Sequence, residues 1–230
     1  MLSAGERPQP SHAPVIDSTI KARMPDLANG TNGATSSSSS SKPAQMQHIW
    51  VVTGPAGCGK STVGNILRTE LGIPFLEGDD FHPAANKDKM GRGIPLTDED
   101  RWDWLISLRR AAIDALSPSE ANNFHPPAGV VVACSALKQK YRDVMRVAAY
   151  GSSWVQIHFV YLKLSEDVLL QRVTQRQSHY MKSSMVQSQL AALEEPKDEW
   201  DAITINVEGT VEDVGRSVID AVAEKLAEYK

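Results

Sequence analysis

The sequence predicts an α/β fold, a five-stranded parallel sheet with helices on both faces and a helical lid. Two observations carry this. From His48 onward, brief apolar runs rich in β-branched residues alternate with longer stretches of helical periodicity, the pattern of βαβ units. The first of those runs ends in a glycine-rich turn that passes directly into a helical pattern.

Taken in chain order, strands are expected at 48–53, 74–77, 129–134, 157–162 and 202–207. Each is short and mostly apolar, as a strand covered on both faces must be. Helices are expected at about 61–71, 98–116, 137–149, 166–177, 184–193 and 211–229. Thr97 and Ser165 suit N-cap positions, because acidic residues follow each in the first turn, where the helix dipole favours them. Residues 1–45 are rich in Pro, Ser, Asn and Gly, include the serine run 36–41 and show no apolar periodicity able to bury a core. They are expected to form a disordered tail, which leaves 46–230 as one domain.

Bulk composition excludes several classes. A net charge of −4 over 230 residues argues against a nucleic-acid binder, which needs a concentrated surplus of Lys and Arg. Cys58 and Cys134 are too few for a disulfide framework and fit reduced thiols in tight places. No apolar run approaches the roughly 20 residues that cross a bilayer. Glu6, Asp17 and Asp26 argue against a transit peptide, and no apolar signal-peptide stretch is present. The expected setting is cytoplasmic, away from membranes and nucleic acid.

The strongest motif is Gly54-Pro55-Ala56-Gly57-Cys58-Gly59-Lys60-Ser61-Thr62, which satisfies Gly-x-x-x-x-Gly-Lys-Ser/Thr between a strand and a helix. Glycines let the backbone curl so that successive N–H groups point at phosphate oxygens, and the following helix adds its positive end. Lys60 is expected on the β- and γ-phosphates and the Ser61 hydroxyl on Mg2+, with Gly54, Ala56, Gly57, Cys58, Gly59 and Thr62 completing the nucleotide loop. The motif implies the P-loop kinase fold with ATP as co-substrate. It does not by itself exclude a non-catalytic nucleotide-binding module. A GTPase reading is disfavoured, because Asn86-Lys87-Asp88-Lys89 ends in Lys and the strand at 129–134 lacks a terminal acid.

The acceptor side is expected around Glu77-Gly78-Asp79-Asp80-Phe81-His82-Pro83, where a strand ends in carboxylates at the sheet edge that also carries the phosphate loop. Asp79 there could take a proton from an attacking hydroxyl or hold Mg2+. Strand alternation would turn the neighbouring Asp80 away.

Glu77-Gly78-Asp79, Phe81-His82-Pro83, Asn86, Lys89-Met90, the stretch from Gly93-x-Pro95-Leu96 through Asp98, Asp100-Arg101 and Trp104-Leu105, and the segment Cys134-Ser135-Ala136-Leu137-Lys138-x-x-Tyr141-Arg142-Asp143 together resemble the gluconate kinase (gluconokinase) family. The resemblance runs in order over residues 46–230. It implies transfer of the ATP γ-phosphate to the 6-hydroxyl of D-gluconate, giving 6-phosphogluconate for the pentose phosphate pathway, and a homodimer. It further implies an acceptor-binding segment at about 78–105, with Asp79, His82, Lys89, Arg92, Lys138 and Arg142 as substrate contacts. Lys138 and Arg142 stand i, i+4, on one face of the helix expected at 137–149. Glu77 stands where related kinases often have Asp, so its part in Mg2+ binding is left open. A shikimate-type kinase is the alternative within the class, although 81–83 and 134–143 do not suit it.

The lid is expected at about 172–196. Arg172 and Arg176 lie on one helix face, Arg176 suited to the transferring phosphoryl group as a catalytic cation and Arg172 to the nucleotide near the adenine. Glu208-Gly209-Thr210, after the last strand, should lie beside the adenine. Trp102, Trp104 and Trp200 are expected to pack.

Overall fold

The structure, a computed structural model, describes residues 46–175 and 183–229. The expected tail at 1–45 and Arg176 lie outside the described residues. In chain order the elements are β1 (Gln47–Thr53), α1 (Lys60–Leu71), β2 (Phe75–Glu77), a 3-10 turn (Gly78–Phe81), α2 (Ala84–Gly91), α3 (Glu99–Ala115), β3 (Gly129–Ala133), α4 (Gln139–Arg146), β4 (Val155–Lys163), α5 (Glu166–Gln175), α6 (Ser183–Ala191), β5 (Ala202–Asn206) and α7 (Val211–Ala227).

All strand pairings are parallel, in the order β2-β3-β1-β4-β5. β1 is central, with Ile49 opposite both Val130 and Ile157. Its side chains alternate between two cores, as the period of two requires. Ile49 and Val51 meet Trp104, Leu105 and Leu108 of α3 and Met145 of α4. Trp50 and Val52 meet Val63 and Leu67 of α1, Leu169 of α5, Val186 of α6 and Val218 of α7. Burial of each such Leu or Val stabilises the fold by roughly 1.5–3 kcal/mol, which is what holds helices to both faces.

The chain leaves β1 toward β2 and β3, then crosses to β4 and β5 on the other side. The order therefore reverses at β1, and ligands gather outside the carboxyl ends of strands at such a point. The loop after β1, the turn after β2 and the loop after β3 all open there.

Some local expectations need correction. α2 was not expected, and its sequence explains why. Ala-Ala-Asn-Lys-Asp-Lys-Met-Gly has no apolar stripe, and its one buried residue is Asn86, whose Nδ2 donates to the Asp100 carbonyl at 2.6 Å. The helix expected at 137–149 is shorter. Lys138 is an extended N-cap, α4 runs Gln139–Arg146, and a 3-10 turn covers Val147–Ala149. β4 begins at Val155, two residues earlier than expected. Thr97 does cap α3 in its bonding: its Oγ1 accepts from Asp100 N at 3.3 Å, while its own N–H donates to the Asp100 carboxylate at 2.9 Å. Trp200, expected to pack, is 72% exposed.

Candidate active site

The phosphate loop is built on left-handed glycines. Gly54, Gly57 and Gly59 have φ of 144°, 89° and 111°, values that L side chains resist. Gly59 precedes Lys60 without any side-chain cap, so the first amides of α1 stay available to an anion. The Lys60 ammonium folds back to donate to the carbonyls of Gly54 (3.2 Å) and Pro55 (3.1 Å). Glu77 and Ser61 line the same cavity, and burial pushes the Glu77 carboxyl pKa up against the opposing influence of Ser61.

Two cavities flank the loop. One, of about 310 Å³, lies against Gly57, Gly59, Thr62, Arg172, Val207 and Val211. Arg172 ties its walls together, donating to Val207 O at 2.5 Å and Cys58 O at 3.4 Å. The other, of about 390 Å³, holds Lys60, Ser61, Asp79, His82 and Arg101, together with Ala56, Lys87, Ser135 and Gln189. The loop is the wall they share, since Gly57 and Gly59 line both.

Asp79 sits in the 3-10 turn after β2 and its carboxylate is 82% exposed at the cavity. Because this is a turn and not a strand, alternation does not separate the two acids. Asp80 faces the same cavity. The turn is fixed from behind by Trp104, whose indole N–H donates to Gly78 O at 2.7 Å and whose ring stacks on His82 at 4.1 Å. His82 is buried, and that burial lowers its pKa to about 4 against the opposing pull of Asp79, 4.0 Å away. Its imidazole is therefore neutral at ordinary pH, able to donate and accept one hydrogen bond each.

The other expected acceptor contacts are not brought to this cavity. Lys89 pairs with Asp100 at 2.6 Å, and Arg92 with Asp88 at 2.6 Å on the surface. Lys138 pairs with Asp98 at 3.0 Å, joined there by Lys140 and the Tyr141 hydroxyl, and these bonds hold the Asp98 carboxyl far below the usual range. Arg142 is 1% exposed, and its guanidinium donates to both oxygens of Glu199 and to the carbonyls of Ala136 and Leu137. A buried guanidinium so engaged serves the junction of α4 with the segment before β5.

The sequence reading passed over Arg101, Lys87 and Gln189. A signal existed for Arg101: it stands three residues before Trp104, hence on the same face of α3 as the indole that braces the Asp79 turn. Its guanidinium lies 5.5 Å over the Tyr141 ring and gives one bond, at 3.3 Å, to Leu96 O. Gln189 has none, since it comes from α6, more than a hundred residues after the loop it meets.

Comparison with known proteins places this geometry. A family model described as an AAA domain matches residues 49–196. A probable gluconokinase of Schizosaccharomyces pombe is 42% identical over 185 residues, covering 80% of this chain and 92% of that protein. The thermosensitive gluconokinase of Escherichia coli is 36% identical, covering 75% and 86%. The crystal structure of a gluconokinase from Sinorhizobium meliloti superposes with a TM-score of 0.67 at 39% identity, covering 80% of this chain and 96% of the other. The shikimate kinase of Aquifex aeolicus shares the fold, with a TM-score of 0.51 at 16% identity. The AAA match describes the domain in general terms, whereas the identities to gluconokinases extend over three quarters or more of the chain. On that basis the chain belongs to the gluconokinase family of P-loop kinases.

Proposed function

We propose that this protein is a gluconokinase, transferring the γ-phosphoryl group of ATP to the 6-hydroxyl of D-gluconate to give 6-phospho-D-gluconate. One observation carries the reading beyond family membership. Across the shared wall of a phosphate loop, an exposed carboxylate, Asp79, shares a cavity with Lys60 and with a cation, Arg101, suited to a substrate carboxylate.

The chemistry follows from that layout. The adenosine end of ATP occupies the cavity beside Arg172 and Val207, and the phosphates run along the loop toward Lys60. Gluconate lies in the second cavity with its 6-hydroxyl toward Asp79. Asp79 accepts the hydroxyl proton as the O6–P bond forms and the bond from phosphorus to the β,γ-bridging oxygen breaks, leaving ADP. Lys60 offsets charge on the phosphoryl oxygens, and Arg176 is proposed to do the same from the lid. Neutral His82 suits a sugar hydroxyl, and Arg101 with Lys87 suits the carboxylate.

The oxygens of Ser61, Glu77 and Asp79 make a donor set that fits a hard cation such as Mg2+, in keeping with the few protein ligands that this ion takes beside phosphates. Bound there, Mg2+ would neutralise phosphate charge.

The proposed kinase unit is 46–230. Among the described residues no helix is long and apolar enough to cross a membrane. A homodimer in the cytoplasm is proposed here, checked for subunit number by sedimentation of the purified chain. The activity itself is tested with a coupled ADP assay on a panel of acceptors. Gluconate should drive Mg-ATP turnover and Lys60→Ala should remove it; turnover with shikimate or another acceptor and none with gluconate would sink the assignment, and tight ATP binding without any acceptor-stimulated turnover would favour a binding module.

A further inference from the structure

Gln189 projects from α6 onto the phosphate loop, and its side-chain oxygen accepts the Ala56 N–H at 2.7 Å. An amide of such a loop is aimed at phosphate oxygens, so a carboxamide oxygen on it occupies the position of one. Which phosphate is at stake follows from the two cavities. The cavity beside Arg172 and Val207 is lined by Gly57, Cys58, Gly59 and Thr62 but not by Ala56. Ala56 lines the other, with Asp79, Lys60 and Gln189 itself. A nucleotide whose base lies in the first cavity therefore reaches Ala56 N–H last, with its terminal phosphate.

We infer that Gln189 is a donor-selecting residue that holds the γ-phosphate position of the loop until ATP displaces it. This goes beyond the gluconate assignment and rests on the reading that ATP binds the loop with its base in the first cavity. ATP must replace the Gln189 bond, and its γ-oxygen then takes the Ala56 N–H. ADP, which ends one phosphate short, leaves the bond in place. Displacement frees the Gln189 side chain within the cavity that faces Asp79, so α6 registers γ-phosphate arrival on the acceptor side. The competing bond is an ordinary neutral one, so its removal should be felt as a change of about 3- to 10-fold in affinity.

Calorimetric titration of the full chain with Mg2+ and either a non-hydrolysable β,γ-imido ATP analogue or ADP, with no acceptor present, tests this. Gln189→Ala should bind the ATP analogue about 3- to 10-fold more tightly than the parent while ADP affinity stays within about twofold. Gln189→Glu, which puts a carboxylate on the same amide, should weaken the analogue and again spare ADP. Unchanged or weaker analogue binding by Gln189→Ala overturns the inference, as do parallel changes for analogue and ADP. ADP binding reports that each variant is folded, and because no acceptor is used, the result stands apart from whether gluconate is the substrate.

Discussion

At the scale of single residues, the division of labour among cations separates two readings that the sequence could not. Arg101 and Arg142 both belong to segments that resemble the gluconokinases, yet one lines the cavity with Asp79 and the other is spent on Glu199 and two backbone carbonyls. Arg101→Met should therefore raise the KM for gluconate by about tenfold or more, the scale of one charge-assisted hydrogen bond, while thermal stability changes little. Arg142→Met should do the reverse. Glu199 keeps its bond to Arg146, but the Ala136 and Leu137 carbonyls lose their buried donor along with the second guanidinium on Glu199, so roughly 1–3 kcal/mol is lost, the melting temperature falls and the KM of what remains folded stays near the parent's. Steady-state kinetics beside thermal melts decide, and an Arg142 variant that melts normally with a raised KM would restore it to the substrate. Asp79→Asn isolates the proton acceptor: turnover should collapse by at least about a hundredfold with ATP affinity nearly intact, and retained turnover would remove Asp79 from that role.

At the scale of elements, α3 is the brace of the acceptor side. Its Trp104 spans from the core to Gly78 O, so a helix packed against β1 and β3 sets the height of the Asp79 turn. Trp104→Phe keeps the stacking surface against His82 but strands the Gly78 carbonyl. About 1–3 kcal/mol of stability should be lost, and kcat should fall more than the KM for ATP changes, because the turn and not the loop has shifted. Equal effects on both would mean that the indole merely fills space. Elements like α3 and β1 were legible in the sequence, because their apolar periodicity records directly which face is buried. α2 was not: what anchors it is Asn86 bonded to a backbone carbonyl, and a polar anchor leaves no periodic trace. The shared helix face expected for Lys138 and Arg142 is absent for a related reason. Spacing of i, i+4 says that two residues share a face only if both are helical, and Lys138 is extended. Nor could the sequence tell which of several cations face a cavity and which are already paired, since Lys89 with Asp100 and Lys138 with Asp98 are tertiary pairings across 11 and 40 positions.

At the scale of the whole molecule, buried histidines in two distant places give the fold a common response to acid. His82 lies under the acceptor turn with a pKa lowered to about 4 by burial. His158 lies on β4 opposite Trp50 of β1, stacked on Trp50 at 4.3 Å and on His48, near Tyr229 and Lys225 of the C-terminal end. Burial, aided by His48 and Lys225, lowers its pKa to about 3, and burial also lowers that of His48. The His158 ring accepts or donates one bond, at 3.0 Å to His48 Nδ1, while its own Nδ1 is buried without a partner among the described residues. Unfolded, all three rings would titrate near 6.5. Between about pH 6.5 and 4 the unfolded chain thus binds more protons than the folded one, so stability rises with pH through that window and is fully present above it. The depressed carboxylates, such as Asp100 at about 2, add their loss only at lower pH. Chemical unfolding followed from pH 7.5 to 4.5 should show stability falling with acid, each fully shifted histidine contributing about 1.4 kcal/mol per pH unit. His158→Phe preserves the stack on Trp50 and removes one of these groups. Whatever its stability at pH 7.5, its slope between pH 6.5 and 4.5 should be shallower than the parent's by about 1 kcal/mol per unit. An unchanged slope would mean that the His48 and His158 pair is not what acid attacks, and would leave the response to His82 and the active-site turn.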